Sequence, residues 1–311
     1  MKILYTLLGL LLTFTANAQQ NPQYSQYIFN SMAINPAYTG SKNVLNLNAF
    51  HRSQWSGIEG APTTQSLSLD GIAANNRLGL GMDITRDKLG AQSTLSAYVN
   101  SAVKLQVSHN GVLSLGLAAG IVQNAIDGSE LGISDDPSIP SNSESTIKPD
   151  MKVGLYFHTD RLYAGLSATD LLEFKDAQML EPARHYYFTT GYVFDMGTFL
   201  KFKPSVLIKE DFKAPASVDL NAFVLLADKL WLGSSYRTSM DLFSKTDNNT
   251  DMQKRTAIAL IAELQIQKSL RLGYAYDKML NGLNGFNTHE ISVGYYFFKK
   301  KDTKMLTPQY F

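Results

Sequence analysis

The chain lacks cysteine, a strong net charge and any long apolar run after its first residues. Cysteine is absent from its 311 residues, which argues against a small disulfide-stapled domain and excludes a thiol nucleophile. The formal net charge is +1, so the chain has no electrostatic footprint for nucleic acid and we expect no such partner. No later apolar run approaches the roughly 20 residues that a membrane helix needs. If the protein lies in a membrane, it crosses as strands.

Motifs for catalysis and for metal binding are also missing. The sequence contains no H-E-x-x-H, no G-x-S-x-G and no phosphate-binding loop. The few histidines are scattered without the spacing of metal ligands; they are His51, His109, His158, His185 and His289. We therefore predict no catalytic, cofactor-binding or metal-binding residues, and we expect that the protein is not an enzyme.

The first 18 residues have the pattern of a signal peptide. Lys2 supplies a positive n-region, residues 3–14 form a mostly apolar h-region, and Ala16-Asn17-Ala18 is an A-x-A cleavage site before Gln19. The apolar run is too short to span a bilayer as a helix. We predict that residues 1–18 are removed and that the mature chain leaves the cytoplasm.

The segment Thr288–Phe298 indicates how the chain meets the membrane. Its apolar side chains, from Ile291 to Phe297, alternate with polar or small ones, and its end is aromatic. An apolar face, a mixed opposite face and an aromatic end are typical of a transmembrane β-barrel strand. Alternation alone would also fit the edge strand of a secreted sandwich. As the last strand of a barrel, this segment would pair with the first strand and remove the open edge.

Similar alternation recurs along the chain and predicts about fourteen strands. They lie near residues 44–50, 64–72, 78–85, 94–105, 112–122, 151–157, 162–169, 185–194, 199–208, 217–226, 230–236, 257–266, 270–276 and 288–298. Pro204 lies inside one of them and should cause a bulge or a break in pairing. Short turns alternate with longer loops, the largest over 123–149, and this alternation favours the barrel over a soluble sandwich.

We therefore predict an all-β, antiparallel transmembrane β-barrel over residues 43–298. Short turns should face the periplasm and long loops the exterior. Both termini are expected in the periplasm, with residues 299–311 as a periplasmic tail. Charges of both signs should face the lumen, serving either solvation and cross-strand pairing or a selective pore; they are Asp83, Lys104, Lys152, Lys201, Lys203, Asp219, Glu263, Arg271 and Asp277.

Residues 19–42 have no strand or helix periodicity. Pro22, Pro36 and Gly40 punctuate them, and several tyrosines give them aromatic anchors. We interpret them as a periplasmic segment that plugs or seals the barrel, or as an ordinary N-terminal extension.

Glycines within predicted strands, such as Gly79 and Gly116, should mark close backbone approach or filling of the lumen. The acidic stretch from Asp127 to Glu144 is either a solvated loop or a docking or cation-binding feature.

Residues 21–40 also carry a family resemblance. They read N-P-Q-Y-S-Q-Y, then F-N, then N-P-A-Y-x-G, which resembles the N-terminal signature of the PorP/SprF family of type IX secretion membrane proteins of Bacteroidetes. Asn21 stands in place of the usual acid. The resemblance continues at His51–Trp55, like the family's R-x-Q-W, at Phe202–Ser205 and at Thr307–Phe311.

This resemblance implies an outer-membrane component of the type IX secretion system. Such a barrel would support secretion or cell-surface attachment of a partner, such as an adhesin or a protein of gliding motility. Its partners would be secretion-system components, outer-membrane lipid and a cargo with a C-terminal sorting domain. It would act either as a core member tied to the periplasmic ring or as an accessory dedicated to one cargo. The residues of the signature that become possible partner contacts are Pro22, Gln23, Tyr24, Ser25, Gln26, Tyr27, Asn35, Pro36, Ala37, Tyr38, Gly40, Gln54, Trp55, Tyr310 and Phe311.

Two other functional classes remain open for a barrel of this kind. One is an outer-membrane porin or a FadL-like transporter of apolar solutes, for which a plugged barrel of this strand number is suitable. The other is a barrel lipase, which would need a catalytic serine and histidine pair. No motif in the sequence identifies such a pair.

Overall fold

The computed structural model describes residues 24–73, 76–131, 143–172, 183–242, 256–280 and 286–297. Strands account for most of these residues, and no helix in the described ranges is long and apolar enough to cross a bilayer. The strands are β1 (Leu45–Ser56), β2 (Thr63–Ala73), β3 (Leu78–Leu89), β4 (Gln92–Gln106), β5 (Val112–Asp127), β6 (Ser143–His158), β7 (Leu162–Thr169), β8 (His185–Tyr192), β9 (Phe194–Asp195), β10 (Leu200–Glu210), β11 (Ala216–Leu226), β12 (Leu230–Met240), β13 (Ala257–Ile266), β14 (Leu270–Met279) and β15 (Asn287–Phe297).

These strands form one sheet that closes on itself. The last strand, β15, pairs antiparallel with β1, from Leu45 opposite Phe297 to Ser56 opposite Asn287. Strands β8 and β9 pair with β10 in one register on either side of Val193, so they form a single barrel strand. The result is a closed antiparallel barrel of fourteen strands, which confirms the predicted fold class. Closure satisfies the backbone groups that an open edge would leave exposed to lipid.

Side chains alternate between a lipid-facing surface and the lumen. In β15 the residues from Ile291 to Phe297 at every second position are 40–54% exposed, whereas Glu290 and Tyr296, in the alternate row, are fully buried. The outward row is apolar because hydrocarbon is its solvent, and the inward row meets the contents of the lumen. The outer surface is therefore the lipid-facing surface of a transmembrane barrel.

The two ends of the barrel differ in the lengths of their connections. At one end, here called the turn end, all six connections have three to five residues. At the other, the loop end, most connections are longer, the longest covering 241–256. Two connections there are short, Gly90–Ala91 and residues 211–215, so the alternation is less strict than the sequence suggested. Short turns face the periplasm in outer-membrane barrels, which predicts that the turn end is periplasmic.

Several strands reach further toward the loop end than the sequence predicts. Strand β1 continues to Ser56, β5 to Asp127, and β6 begins at Ser143. The loop predicted over 123–149 is therefore shorter, and Pro149 lies within β6. In these extensions polar residues occupy both faces, so the hydrophobic alternation that marks a strand in the membrane is lost although the backbone pairing persists.

The hydrogen-bond ladder on one side of β10 is broken at Pro204. Pro204 keeps its partner Ala222 in an uninterrupted register with β11. On the other side β8 stops at Tyr192 and β9 resumes at Phe194, with the same register before and after the gap. The structure therefore has a local break and no bulge there, because proline has no N–H to donate.

Candidate functional site

The residues that precede β1 lie inside the barrel. Tyr24–Val44, here called the lumen segment, contains three 3-10 turns, at Ser25–Phe29, Ser31–Ala33 and Pro36–Tyr38. Hydrogen bonds join it to β2, β6, β7, β11, β14 and β15, which stand on all sides of the barrel. A segment that contacts strands all around a closed sheet occupies the space within it.

At the loop end the lumen segment is held by two carboxylates and an arginine, which we call the carboxylate clamp (Arg52, Asp277 and Glu290). The Ser25 N–H donates to Glu290 Oε1 at 2.8 Å and the Gln26 N–H to Oε2 at 3.0 Å. The Ser25 hydroxyl donates to Asp277 Oδ2 at 2.6 Å. The Arg52 guanidinium bridges Asp277, at 3.0 Å, and Glu290. Each member is nearly inaccessible to solvent, so these charge-assisted bonds are not weakened by water.

In the middle of the lumen the contacts are mostly apolar with a few polar anchors. Phe29 packs edge-to-face on Phe223, with ring centroids 6.0 Å apart, within a buried cluster that includes residues of β10, β11 and β12. The Tyr27 hydroxyl accepts a hydrogen bond from Asn221 Nδ2 at 2.7 Å. The Ile34 carbonyl accepts one from the Ser167 hydroxyl at 2.6 Å. The aromatic anchors of the segment are thus part of a buried core inside the barrel.

At the turn end Asn35 and Gly40 fix the path of the chain into β1. The Asn35 side chain caps the third 3-10 turn by accepting from the Ala37 N–H at 2.9 Å, and its Nδ2 donates to the Leu155 carbonyl of β6 at 3.0 Å. The Gly40 N–H donates to Asp70 Oδ2 at 2.9 Å. Amide and carboxylate side chains thereby supply hydrogen-bond partners for backbone groups that a 3-10 turn leaves unsatisfied.

Glycines in the wall make room for the lumen segment. A Cβ atom on Gly116 would overlap the backbone of Ala37, and one on Gly79 would overlap the Thr39 carbonyl. On Gly81 it would lie 2.9 Å from the Met32 sulfur. Gly79 and Gly116 are therefore required by close approach of the backbone, one of the two interpretations that the sequence offered.

We expect Gly40→Ala to destabilise the barrel by more than its backbone conformation alone explains. Gly40 has φ +69°, and an added Cβ would meet the Gly71 carbonyl oxygen at 2.5 Å. A left-handed non-glycine residue costs about 1–3 kcal/mol, and the clash adds to that. Gly90→Ala is the matched control, because Gly90 has φ +53° with open space around it. Urea unfolding should show a clearly larger loss for Gly40→Ala; equal losses would contradict the clash.

Other residues of the predicted partner-contact set are distributed between the lumen and the barrel rim. Among the described ones, Ser25, Gln26 and the Asn35–Tyr38 stretch are buried in the lumen segment. Gln54 and Trp55 lie in β1, where the pairing with β15 shifts register; Trp55 has φ +51° and its N–H donates to the Thr288 hydroxyl at 3.3 Å. Pro22, Gln23, Tyr310 and Phe311 lie outside the described residues. Contact of this set with a partner stays a prediction.

Most of the charges predicted to face the lumen are buried there. Asp219 is fully buried and accepts two hydrogen bonds from Arg237, at 2.9 and 3.0 Å. Lys201 is the exception, because it lies at the turn-end rim and pairs with the exposed Asp228 at 3.0 Å. Within the described ranges no group of three or more histidine or acidic residues is placed to hold a metal ion.

The carboxylate clamp was only partly visible in the sequence. The sequence predicts that Asp277 faces the lumen, but it includes neither Glu290 nor Arg52 among the predicted lumen-facing charges. Their strand positions carry the signal that identifies them, since both fall in the inward row of their strands. In the acidic stretch that begins at the end of β5, Asp127 accepts hydrogen bonds from the Ser129 N–H at 3.1 Å and from its hydroxyl at 2.6 Å. Residues 132–142 lie outside the described ranges.

Solved structures that resemble this chain are outer-membrane barrels of very different sequence. The outer membrane protein Omp33 of Acinetobacter baumannii is 9% identical, with a TM-score of 0.46 over 82% of this chain and 100% of that one. A Pseudomonas aeruginosa FadL homologue is 12% identical, with a TM-score of 0.48 over 91% and 96%. The KdgM porin is 8% identical, with a TM-score of 0.40 over 81% and 99%. No curated protein sequence matches the chain.

A protein family does match, and over nearly the whole chain. Residues 16–295 fit the family described as "Type IX secretion system membrane protein PorP/SprF". The match includes the lumen segment and ends two residues before the last strand does. The family and the fold are both those of a membrane barrel and are not those of an enzyme class. The chain therefore belongs to the PorP/SprF family of type IX secretion system membrane proteins.

Proposed function

We propose that this outer-membrane barrel supports the secretion or surface attachment of an exported partner protein, and that it does so by binding. The observation that carries the proposal is the filled lumen. The lumen segment hydrogen-bonds to strands on all sides of the barrel, and the lumen-facing side chains Asn100, Ser114 and Asp219 are inaccessible to solvent. A barrel so occupied acts through its surfaces and not as a passage for solutes.

The partners follow from family membership and from the two ends of the barrel. Type IX secretion components are one class of partner. The second is an exported cargo with a C-terminal sorting domain, such as an adhesin or a gliding protein. The loop end, with its longer connections and tall β5–β6 hairpin, offers the surface on which that cargo docks. The turn end faces the components in the periplasm.

Affinity purification of the tagged protein from its own outer membrane tests this function. We expect mass spectrometry to find a large exported protein with a sorting domain, together with secretion components. A porin tagged in the same way and purified from the same membrane is the control. Recovery of lipopolysaccharide and lipid alone would contradict the proposal.

Transport of small or apolar solutes, the alternative, has a separate test. The lumen segment bonds to strands all around the barrel interior. We therefore expect the purified barrel to be electrically silent in planar bilayers. A steady open conductance of the unmodified protein would favour a porin or a FadL-like transporter over the binding role.

A further inference from the structure

At the loop end, strand β6 rises beyond the strand that follows it in the barrel wall. It pairs with β5 over its whole length, residues 143–158, but with β7 only from Val153 onward. One further bond, from the Leu171 N–H to the Met151 carbonyl at 3.2 Å, joins it to the chain after β7. Within the described ranges no strand pairs with residues 143–149 on that side. These residues, here called the β6 edge, extend over about 23 Å.

The backbone groups of alternate residues point away from β5 along this edge. In an antiparallel strand the N–H and C=O of one residue bond to one neighbour, and those of the next residue bond to the other. The Met151 carbonyl bonds on the β7 side, and so does the Thr159 N–H, which donates to the Leu162 carbonyl at 2.8 Å. Odd-numbered residues of β6 therefore face the β7 side. On the β6 edge they are Ser143, Ser145, Ile147 and Pro149.

Pro149 indicates that this row of the strand is an edge in the folded protein. Proline cannot donate a hydrogen bond, so in the even-numbered row it would remove a bond to β5. In the odd-numbered row it costs β5 nothing, and its pairing with Ile121 continues without a shift of register. Proline in a sheet is found where the missing donor faces an unpaired side. The β6 edge therefore presents three N–H groups and four carbonyl groups, and all four residues of its row are exposed.

The chemistry of the β6 edge selects its occupant. A row of main-chain donors and acceptors is matched by the main chain of another extended segment, which adds to the sheet as a further strand. The edge lies at the loop end, where the proposed function places the docking of an exported partner. A second barrel in the same membrane is a poorer match. Its β6 would run in the same direction, so the two edges could pair only as parallel strands, the weaker arrangement.

We propose that the exported partner binds by adding an extended segment, antiparallel to β6, to the β6 edge. This inference rests on the proposed function and names the way in which the partner is held. The contacts that hold the segment are main-chain hydrogen bonds, so segments of different sequence can be accepted as long as they are extended and contain no proline opposite the edge.

Hydrogen exchange resolved to single amides tests the edge in the full-length barrel and in the complex recovered by affinity purification. In the barrel alone, the Ser145 and Ile147 N–H groups should exchange at least about 100-fold faster than those of Thr146 and Lys148, which face β5. In the complex, the rates of Ser145 and Ile147 should fall by a similar factor, whereas those of Thr146 and Lys148 should stay low.

Three results would contradict the inference. Slow exchange of Ser145 and Ile147 in the barrel alone would mean that another part of this chain already pairs with the edge. Unchanged rates in a complex that contains an exported protein would overturn this inference and leave the proposed function standing. Recovery of no exported protein would contradict the proposed function and this inference together.

Ile147→Pro provides an independent test. It removes one N–H of the edge and leaves the bonds between β5 and β6 in place, so recovery of the exported protein should fall by about tenfold. Ile147→Val is the matched control, because it keeps the N–H and a branched side chain at a position that is 61% exposed, and its recovery should be unchanged. Slow exchange of Thr146 and Lys148 in the Ile147→Pro barrel would verify that the hairpin is intact. Equal recovery with Ile147→Pro and Ile147→Val would overturn the inference.

Discussion

Gly116→Leu is expected to convert a silent barrel into a conducting one. Gly116 lies in the wall where the backbone of Ala37 and Pro36 makes contact, so a leucine side chain would overlap main-chain atoms that no rotamer change can move. Overpacking in a well-filled interior costs about 1–3 kcal/mol when side chains can adjust. Here relief requires that the lumen segment leave the wall. Single-channel recording in planar bilayers should show stable openings that the unmodified protein lacks.

The control for this variant is the neighbouring residue on the other face. Leu115→Phe enlarges a side chain that is 46% exposed toward lipid, so its conductance should remain that of the unmodified barrel. Gly154→Leu is a second route to the same result, because its added atoms would meet the Asn35 side chain and the Pro36 ring. Folded Gly116→Leu and Gly154→Leu barrels that are both electrically silent would show that the segment does not close the lumen.

Glu290→Ala is expected to produce the largest loss of stability among single changes in the lumen. The change leaves the Ser25 and Gln26 N–H groups without their acceptor and Arg52 with one carboxylate in place of two. Removing one member of a buried ion pair costs about 3–5 kcal/mol, because the remaining charge stays buried. The free energy of unfolding in urea, measured in lipid vesicles, should fall by about that amount.

Two variants distinguish the effect of losing the carboxylate clamp from the effect of removing any glutamate. Glu59→Ala, at an exposed position of the β1–β2 connection, should change stability by less than about 0.5 kcal/mol. Glu290→Gln keeps an oxygen that accepts one of the two N–H groups, so its loss should be intermediate. A Glu290→Ala barrel as stable as the Glu59→Ala barrel would mean that the clamp does not hold the segment.

The sequence predicts the wall of this protein well because the wall is built from local alternation. All fourteen strands are where the pattern places them, and β7 and β13 have the predicted bounds. The pattern depends on a lipid-facing apolar row, so it fails where that row ends. For this reason the extensions of β1, β5 and β6 toward the loop end were missed.

The contents of the lumen were less predictable because they depend on contacts between distant parts of the chain. The aromatic residues before β1 indicated a segment that packs against something, but the direction in which it crosses the barrel is set by Ser25 meeting Glu290 and Gly40 meeting Asp70. Nothing in the local sequence around Ser25 indicates a partner in the last strand. Strand position predicts which side chains face inward, but not which inward side chains touch.

The carboxylate clamp also has a consequence for how the barrel assembles. It joins Ser25 to Glu290 across 265 positions of sequence and to Asp277 across 252. Contacts of such long separation form late, because the intervening chain must be ordered before they are made. Ser25, which lies near the start of the chain, is thus among the last residues to acquire its partners. Until β14 and β15 are in place, the aromatic lumen segment remains exposed to solvent. A protease added during assembly should therefore cleave this segment in unfinished barrels and leave it intact in closed ones.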